Sequence, residues 1–169
     1  MRYEPIKALL GKYCKGRPLL RKILYILMDI LLLRAWHIRK MLRTIRKSIP
    51  ASSSILDAGS GMGQYSWRLA KMRKSYTVKG IDINSTEVND CNEFFAMEGL
   101  SGRVSFETGD LAALNEPGRY DFIITVDVME HIADDEKVFR NFSNALRGKG
   151  LLLISTPSDQ GGSDAHDSS

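Results

Sequence analysis

Apolar positions fall along this chain in two rhythms. From Pro18 to Lys47, "PLLRKILYILMDILLLRAWHIRKMLRTIRK", they recur at helical spacing, with no glycine and no proline after the first position. That pattern predicts one long helix or two helices with a short break. Beyond "SIPASSS", a small-residue hinge, short apolar runs alternate with helical stretches. Strands are expected near Ser54–Asp57, Thr77–Asp82, Arg103–Glu107, Tyr120–Val126 and Gly150–Ser155, and helices near Tyr65–Lys74, Thr86–Gly99 and Asp134–Arg147. Runs such as "YDFIITV" and "GLLLIST" are apolar almost throughout, as burial on both faces of a parallel sheet demands. Strand and helix in alternation then predict a doubly wound α/β sheet with right-handed crossovers.

Three segments follow from the same pattern: a helical segment over 1–50, an α/β domain over 51–157, and a Gly-, Ser- and Asp-rich tail over 158–169 that is expected to lack structure. Bulk composition adds little, since 169 residues with 43% hydrophobic and 26% charged side chains suit one ordinary domain with a real core. Charge distribution adds more. Residues 1–50 carry 13 Lys and Arg against Glu4 and Asp29, a balance of +11, and the rest carry 11 against 18, a balance of −7. A reversal this sharp marks two regions with different physical work.

The apolar stretch Ile23–Leu33 is interrupted by Asp29 and flanked by Arg21, Lys22 and Arg34. As a helix it rises about 16 Å, far short of the roughly 30 Å hydrocarbon core, so a membrane span is not expected. Residues 18–47 either pack an apolar face on the following domain as a lid, or lie on an anionic membrane surface as a basic amphipathic helix. Cys14 and Cys91 are far apart, with no Cys or His at ligand spacing, so neither a disulfide framework nor a metal site is expected. The N-terminus shows no secretory pattern. These features point to a cytoplasmic protein, or one held peripherally at the inner face of a membrane.

Candidate chemistry centres on "ILDAGSGMGQYS", Ile55–Ser66, the exit of the first strand, where ligands bind in such sheets. Glycines there admit positive φ and close backbone approach, and the following helix start offers N–H donors. Gly59, Gly61 and Gly63 give G-x-G-x-G, with Gln64 where a dinucleotide loop places its third glycine. A phosphate-binding P-loop is missing. Asp82 in "KGIDIN" ends the second strand, where a carboxylate accepts from two ribose hydroxyls. Asp110 in "ETGDL" follows the third strand, where it can accept from an exocyclic adenine amine, and Asp127 in "DFIITVDVMEHI" ends the fourth. One strand-end Asp is ordinarily a turn or cap residue. Acids at the ends of successive strands, Asp57 included, point to a shared ligand.

Together "LDAGSGMG", "GIDIN", "TGDL", "DFIITVDVMEHI" and "LRGKGLLLISTP" resemble the successive motifs of class I S-adenosylmethionine-dependent methyltransferases, within the small-molecule group that includes quinone-biosynthesis enzymes. The match runs from Ser54 to Pro157. The resemblance implies a Rossmann-like fold, S-adenosylmethionine as cofactor and a small-molecule methyl acceptor. By position, Asp57, Gly59, Gly61 and Gly63 would hold the methionine end, Asp82 with Ile83 the ribose, and Asp110 with Leu111 the adenine. Asp127 with Val128 would line the opposite wall. The family's sheet has seven strands and five are legible here, so the chain is expected to be a fragment of a longer enzyme, or to have its fifth strand covered by another chain or the N-terminal helix. The alternative function is a cofactor-binding module inactive alone, for want of the acceptor-binding half.

Methyl transfer is an in-line displacement, so positioning and water exclusion carry most of the task, and a base is needed only when the acceptor must lose a proton. His131 in "MEHI" is the candidate base, its other reading being a packed or capping histidine at a helix start. Trp36, His37 and Arg39 either face the acceptor or belong to an ordinary amphipathic helix. Nucleic acid is not expected as a partner, because the α/β half is acidic and no basic and aromatic residues interleave around the crevice. A NAD-dependent oxidoreductase is opposed by Gln64 and by the acids after strands three and four. Oligomeric state and acceptor atom are open at this level.

Overall fold

A proline at the first helical position, where its missing N–H is no loss, starts α1. This helix spans Pro18–Leu31, and α2 spans Leu33–Ile45, so the two-helix form of the prediction holds. The structure, a computed structural model, describes residues 16–31 and 33–156. Cys14 and the tail expected at 158–169 lie outside the described residues.

The strands are β1 (Ser54–Ala58), β2 (Thr77–Asp82), β3 (Val104–Thr108), β4 (Tyr120–Val126) and β5 (Leu146–Ser155), and the helices among them are α3 (Gln64–Met72), α4 (Ser85–Met97) and α5 (Asp135–Ala145). All neighbours pair in parallel in the order β3-β2-β1-β4-β5. Strand order therefore reverses between β1 and β4, which opens the ligand crevice of such sheets at their carboxyl ends. Period-two alternation assigns the two faces. Ile55, Phe122 and Ile124 pack with α2, α3 and α4, burying Ile38, Leu42, Leu69, Phe94 and Phe95. Leu56, Ala58 and Ile123 pack with Val138, Phe142 and Ala145 of α5.

The last helix and strand depart from the sequence reading. Helix α5 stops at Ala145 rather than Arg147, because the N–H groups of Gly118 and Arg119 take the carbonyls of Asn144 and Ala145 at 2.8 and 2.9 Å. Strand β5 starts at once, at Leu146 instead of Gly150. Tyr120 aligns with Leu146 but Phe122 with Leu151, so "RGKG" bulges out of the ladder. Glycine suits the end of that bulge, since a Cβ at Gly150 would stand 2.7 Å from Leu146 Cδ2. At the other sheet edge, the side-chain amide of Asn92 donates to the Phe106 carbonyl and accepts its N–H, both at 2.9 Å, occupying part of the strand edge that β3 leaves unpaired.

Candidate functional site

Strand β1 delivers Asp57 to the reversal point, beneath the glycine turn rather than open upon it. Its carboxylate is 2% exposed and accepts from the Ser66 hydroxyl at 2.6 Å, and from the Ser66 backbone. It thus caps α3 from outside the helix, satisfying donors that a helix start leaves free. Burial lifts the carboxyl from 3.8 to about 6, against the opposing Ser66 bonds and with the Asp82 charge adding to the rise.

The turn above it is pinned to β2. The N–H groups of Gly59 and Ser60 both donate to the Ile81 carbonyl, at 2.8 and 3.0 Å. Gly61 N–H donates to Asp82 Oδ2 at 2.7 Å, and Asn84 N–H to Oδ1 at 2.9 Å. Each carboxylate oxygen keeps a lone pair directed elsewhere. Gly59 adopts φ +75°, and a Cβ there would lie 2.2 Å from Val128 Cγ2. Glycine at 59 is thus what lets the turn and the loop leaving β4 touch across the reversal point.

The remaining sequence candidates lie along the same edge of the sheet. Ile83, 78% exposed, follows Asp82. Asp110 is exposed, and its Oδ1 accepts Ala112 N–H at 2.8 Å, capping the short 3-10 turn Leu111–Ala113 in which Leu111 is buried. Asp127 has a left-handed backbone, φ +59°. His131 closes a second 3-10 turn, Met129–His131, and is exposed. Trp36 and His37 point to solvent, the His37 ring bonding to the Leu33 carbonyl within α2. Among the described residues, no group of three or more His, Cys, Asp or Glu is arranged to hold a metal ion.

Several contacts at the crevice carry no signal in the sequence. Arg34 of α2 forms an ion pair with Asp127. Tyr65, at the start of α3, lies near both Asp127 and Asp57, and burial followed by those two charges pushes its hydroxyl well above 10. Gln64 donates to Asp29 Oδ1 of α1 at 3.0 Å, and Asp29 also pairs with Arg68. Arg21 donates to the Met62 carbonyl at 2.6 Å, inside the glycine turn, and the Tyr25 hydroxyl bonds to the same carbonyl. Long-range pairs of this kind leave no local periodicity to read. The outcome is that α1 grips the turn through Met62 and Gln64, and α2 reaches the loop leaving β4.

A family model described as "Methyltransferase domain" matches residues 50–167. The chain is 30% identical over 115 residues to ajmaline N-methyltransferase of Rauvolfia serpentina, covering 63% of this chain and 39% of that enzyme. It is 30% identical over 102 residues to a ubiquinone biosynthesis O-methyltransferase of Colwellia psychrerythraea, covering 60% and 41%. A crystal structure of Haemonchus contortus phosphoethanolamine N-methyltransferase 2 in complex with S-adenosyl-L-methionine aligns with a TM-score of 0.60 at 26% identity, over 68% of this chain and 27% of that one. The chain therefore spans about two fifths of the length of these two curated relatives. The match covers more than half of the chain, which therefore belongs to the methyltransferase-domain family, and the parallel sheet has that family's class I fold.

Proposed function

We propose that this chain binds S-adenosylmethionine across the β1–β4 crevice and supports methyl transfer to a small-molecule acceptor. The observation that carries the reading is the bond from Gly61 N–H to Asp82, which fixes the glycine turn beside a carboxylate with spare lone pairs. The acceptor set fits an adenosyl group: acids stand where ribose hydroxyls and an adenine amine would donate, while the N–H groups of Gly59, Ser60, Gly61 and Gly63 are bonded within the protein and hold the turn's shape. One buried polar atom in that turn, Ser60 Oγ, has no hydrogen-bond partner among the described residues.

In this reading Asp82 and Ile83 receive the ribose, Asp110 and Leu111 the adenine, and Gly59, Gly61 and Gly63 the methionine end, with Asp57 supporting the turn from beneath rather than touching the ligand. Asp127 and Val128 form the facing wall. The cofactor supplies an electrophilic methyl group. What the chain supplies is orientation and dryness: Val128 and Arg34 close the crevice from one side, and His131 stands just past it to accept a proton when the acceptor must lose one. A second reading, a cofactor-binding module that does not transfer methyl alone, draws on the partial coverage of the relatives.

Calorimetric titration with S-adenosylmethionine and with NAD tests the proposal. Binding of the first alone is expected, and Asp82→Ala should weaken it at least tenfold, as loss of hydrogen bonds to a charged group does. No heat with S-adenosylmethionine would sink it. Methyl transfer by the chain in a panel of small-molecule acceptors separates the first reading from the second. Cytoplasmic placement, with residues 18–47 touching the inner face of a membrane, belongs to the same proposal. Its support is the charge reversal and the exposed apolar side of α1, on a chain whose described helices are none of them long and apolar enough to cross a bilayer.

A further inference from the structure

Helix α1 is apolar on two sides, and only one packs against other described residues. Leu24 and Tyr25 pack inward, while Leu19, Ile23, Ile26 and Ile30, at spacings of three and four, form an exposed stripe continued by Leu33 of α2. Ile30 is 68% exposed and Leu33 72%. Stripes of this size on a soluble surface mark contact with a partner or a bilayer.

The stripe borders a groove between α1, α2 and α3. Ile26 and Ile30 form one wall, and the Tyr25 and Trp67 rings lie along it. Arg39 and Arg43 of α2 and Arg46 just past its end line it together with Arg68 and Lys71 of α3. Among the described residues Asp29 is the one acid lining this groove, and it is already held by Arg68 and Gln64. Four cations beyond the Arg68–Asp29 pair, above an apolar wall, suit a ligand with a fixed negative charge on a hydrocarbon body. An acidic protein segment would satisfy the cations but not the width of the adjoining stripe. A bilayer rich in anionic lipid satisfies both at once.

Resting on the reading of residues 18–47 as a peripheral membrane contact, we infer that this groove seats the phosphate-bearing headgroup of an anionic lipid while the α1 stripe enters the acyl boundary. Arg39 then serves lipid rather than acceptor. The glycine turn lies on the far side of Gln64 and Asp29, so a methyl acceptor dissolved in the membrane would approach a site already held at the interface.

Co-sedimentation of the full chain with vesicles tests this. Pelleting is expected with phosphatidylcholine–phosphatidylglycerol vesicles at low salt, far less at high salt, and none with phosphatidylcholine alone. The triple variant Arg39→Gln, Arg43→Gln, Arg46→Gln should lose about a hundredfold in vesicle affinity, at roughly fivefold per cation. Its S-adenosylmethionine affinity should stay unchanged, which reports that it is folded. Ile26→Ser with Ile30→Ser should also release the vesicles. No pelleting at low salt overturns both the membrane contact and the groove. Wild-type pelleting by the triple variant overturns the groove alone. Release of the chain by free glycerol phosphate, at ionic strengths where sodium chloride has no effect, makes the ligand a soluble phosphate and overturns the lipid assignment. A self-association in sedimentation velocity that the isoleucine variant abolishes, without vesicle binding, gives the stripe to a second copy and overturns it as well.

Discussion

Arg34 and Asp127, 93 positions apart, form an ion pair that joins α2 to the loop leaving β4. Asp127 is held there in a left-handed backbone conformation, which among the described non-glycine residues it alone adopts. Such a residue persists only where its surroundings over-determine it, and strained positions of this kind gather at functional sites. In the proposed complex the guanidinium is then at hand for the carboxylate of the cofactor's amino acid.

Arg34→Gln should therefore weaken S-adenosylmethionine about tenfold and leave methylthioadenosine, which lacks the amino acid, unchanged. Calorimetry with both ligands decides. Equal losses would mean that Arg34 only holds the loop in place.

Gly59→Ala should cost stability twice over. The left-handed φ of +75° penalises any side chain, and the new Cβ would meet Val128 at 2.2 Å. About 3 kcal/mol is expected from urea unfolding. Adding Val128→Ala should restore the steric part and leave the backbone part, and a double variant no better than the single would place the penalty elsewhere.

Asp57 gives the fold a pH signature. Its folded carboxyl sits at about 6 against 3.8 for the free group, so the native state binds the proton more tightly than the unfolded chain. The linked stability is fully present below 3.8 and is lost as pH rises through about 6. Relative to Asp57→Asn, the wild type should gain up to about 3 kcal/mol as pH falls across that window. Parallel stability curves for the two proteins would show that Asp57 is not buried as a lone acid.

How much of this was legible beforehand depends on range. Strands such as "YDFIITV" announced themselves through unbroken apolar runs, and Asp82, Asp110 and Asp127 stand at strand ends where their spacing placed them. Asp57 was found but not its burial, because a motif names a residue without saying what lies above it. The β5 bulge hid in "LRGKG", which reads equally as a frayed helix end. Arg34 and Asp29 were invisible as site residues, since an ion pair across 93 positions or a bond across 35 leaves no local pattern.

Gln64→Gly would recreate the dinucleotide spacing, yet no gain of NAD binding is expected. Loss of the bond to Asp29 should instead loosen α1. Hydrogen exchange at α1 amides should quicken several-fold, for a bond worth about 1 kcal/mol. Unchanged exchange would show that Arg21 and Tyr25 hold the helix alone.

His131→Asn should lower kcat about a hundredfold if the acceptor loses a proton in the step, with S-adenosylmethionine affinity preserved. A change below threefold in kcat, for every acceptor turned over, would remove His131 from the chemistry.

The position that looked like a defect in a nucleotide loop, Gln64, is a fastener between the turn and a helix whose other side carries the exposed stripe. Fastening of this kind is reciprocal: whatever factor a docked α1 adds to affinity at the turn, occupancy of the turn adds to the docking of α1. A membrane that steadies the helix would then raise affinity for the small molecule, and the small molecule would raise residence at the membrane. Two otherwise separate binding equilibria would share one free energy, carried by the Gln64–Asp29 bond and the two donors on the Met62 carbonyl.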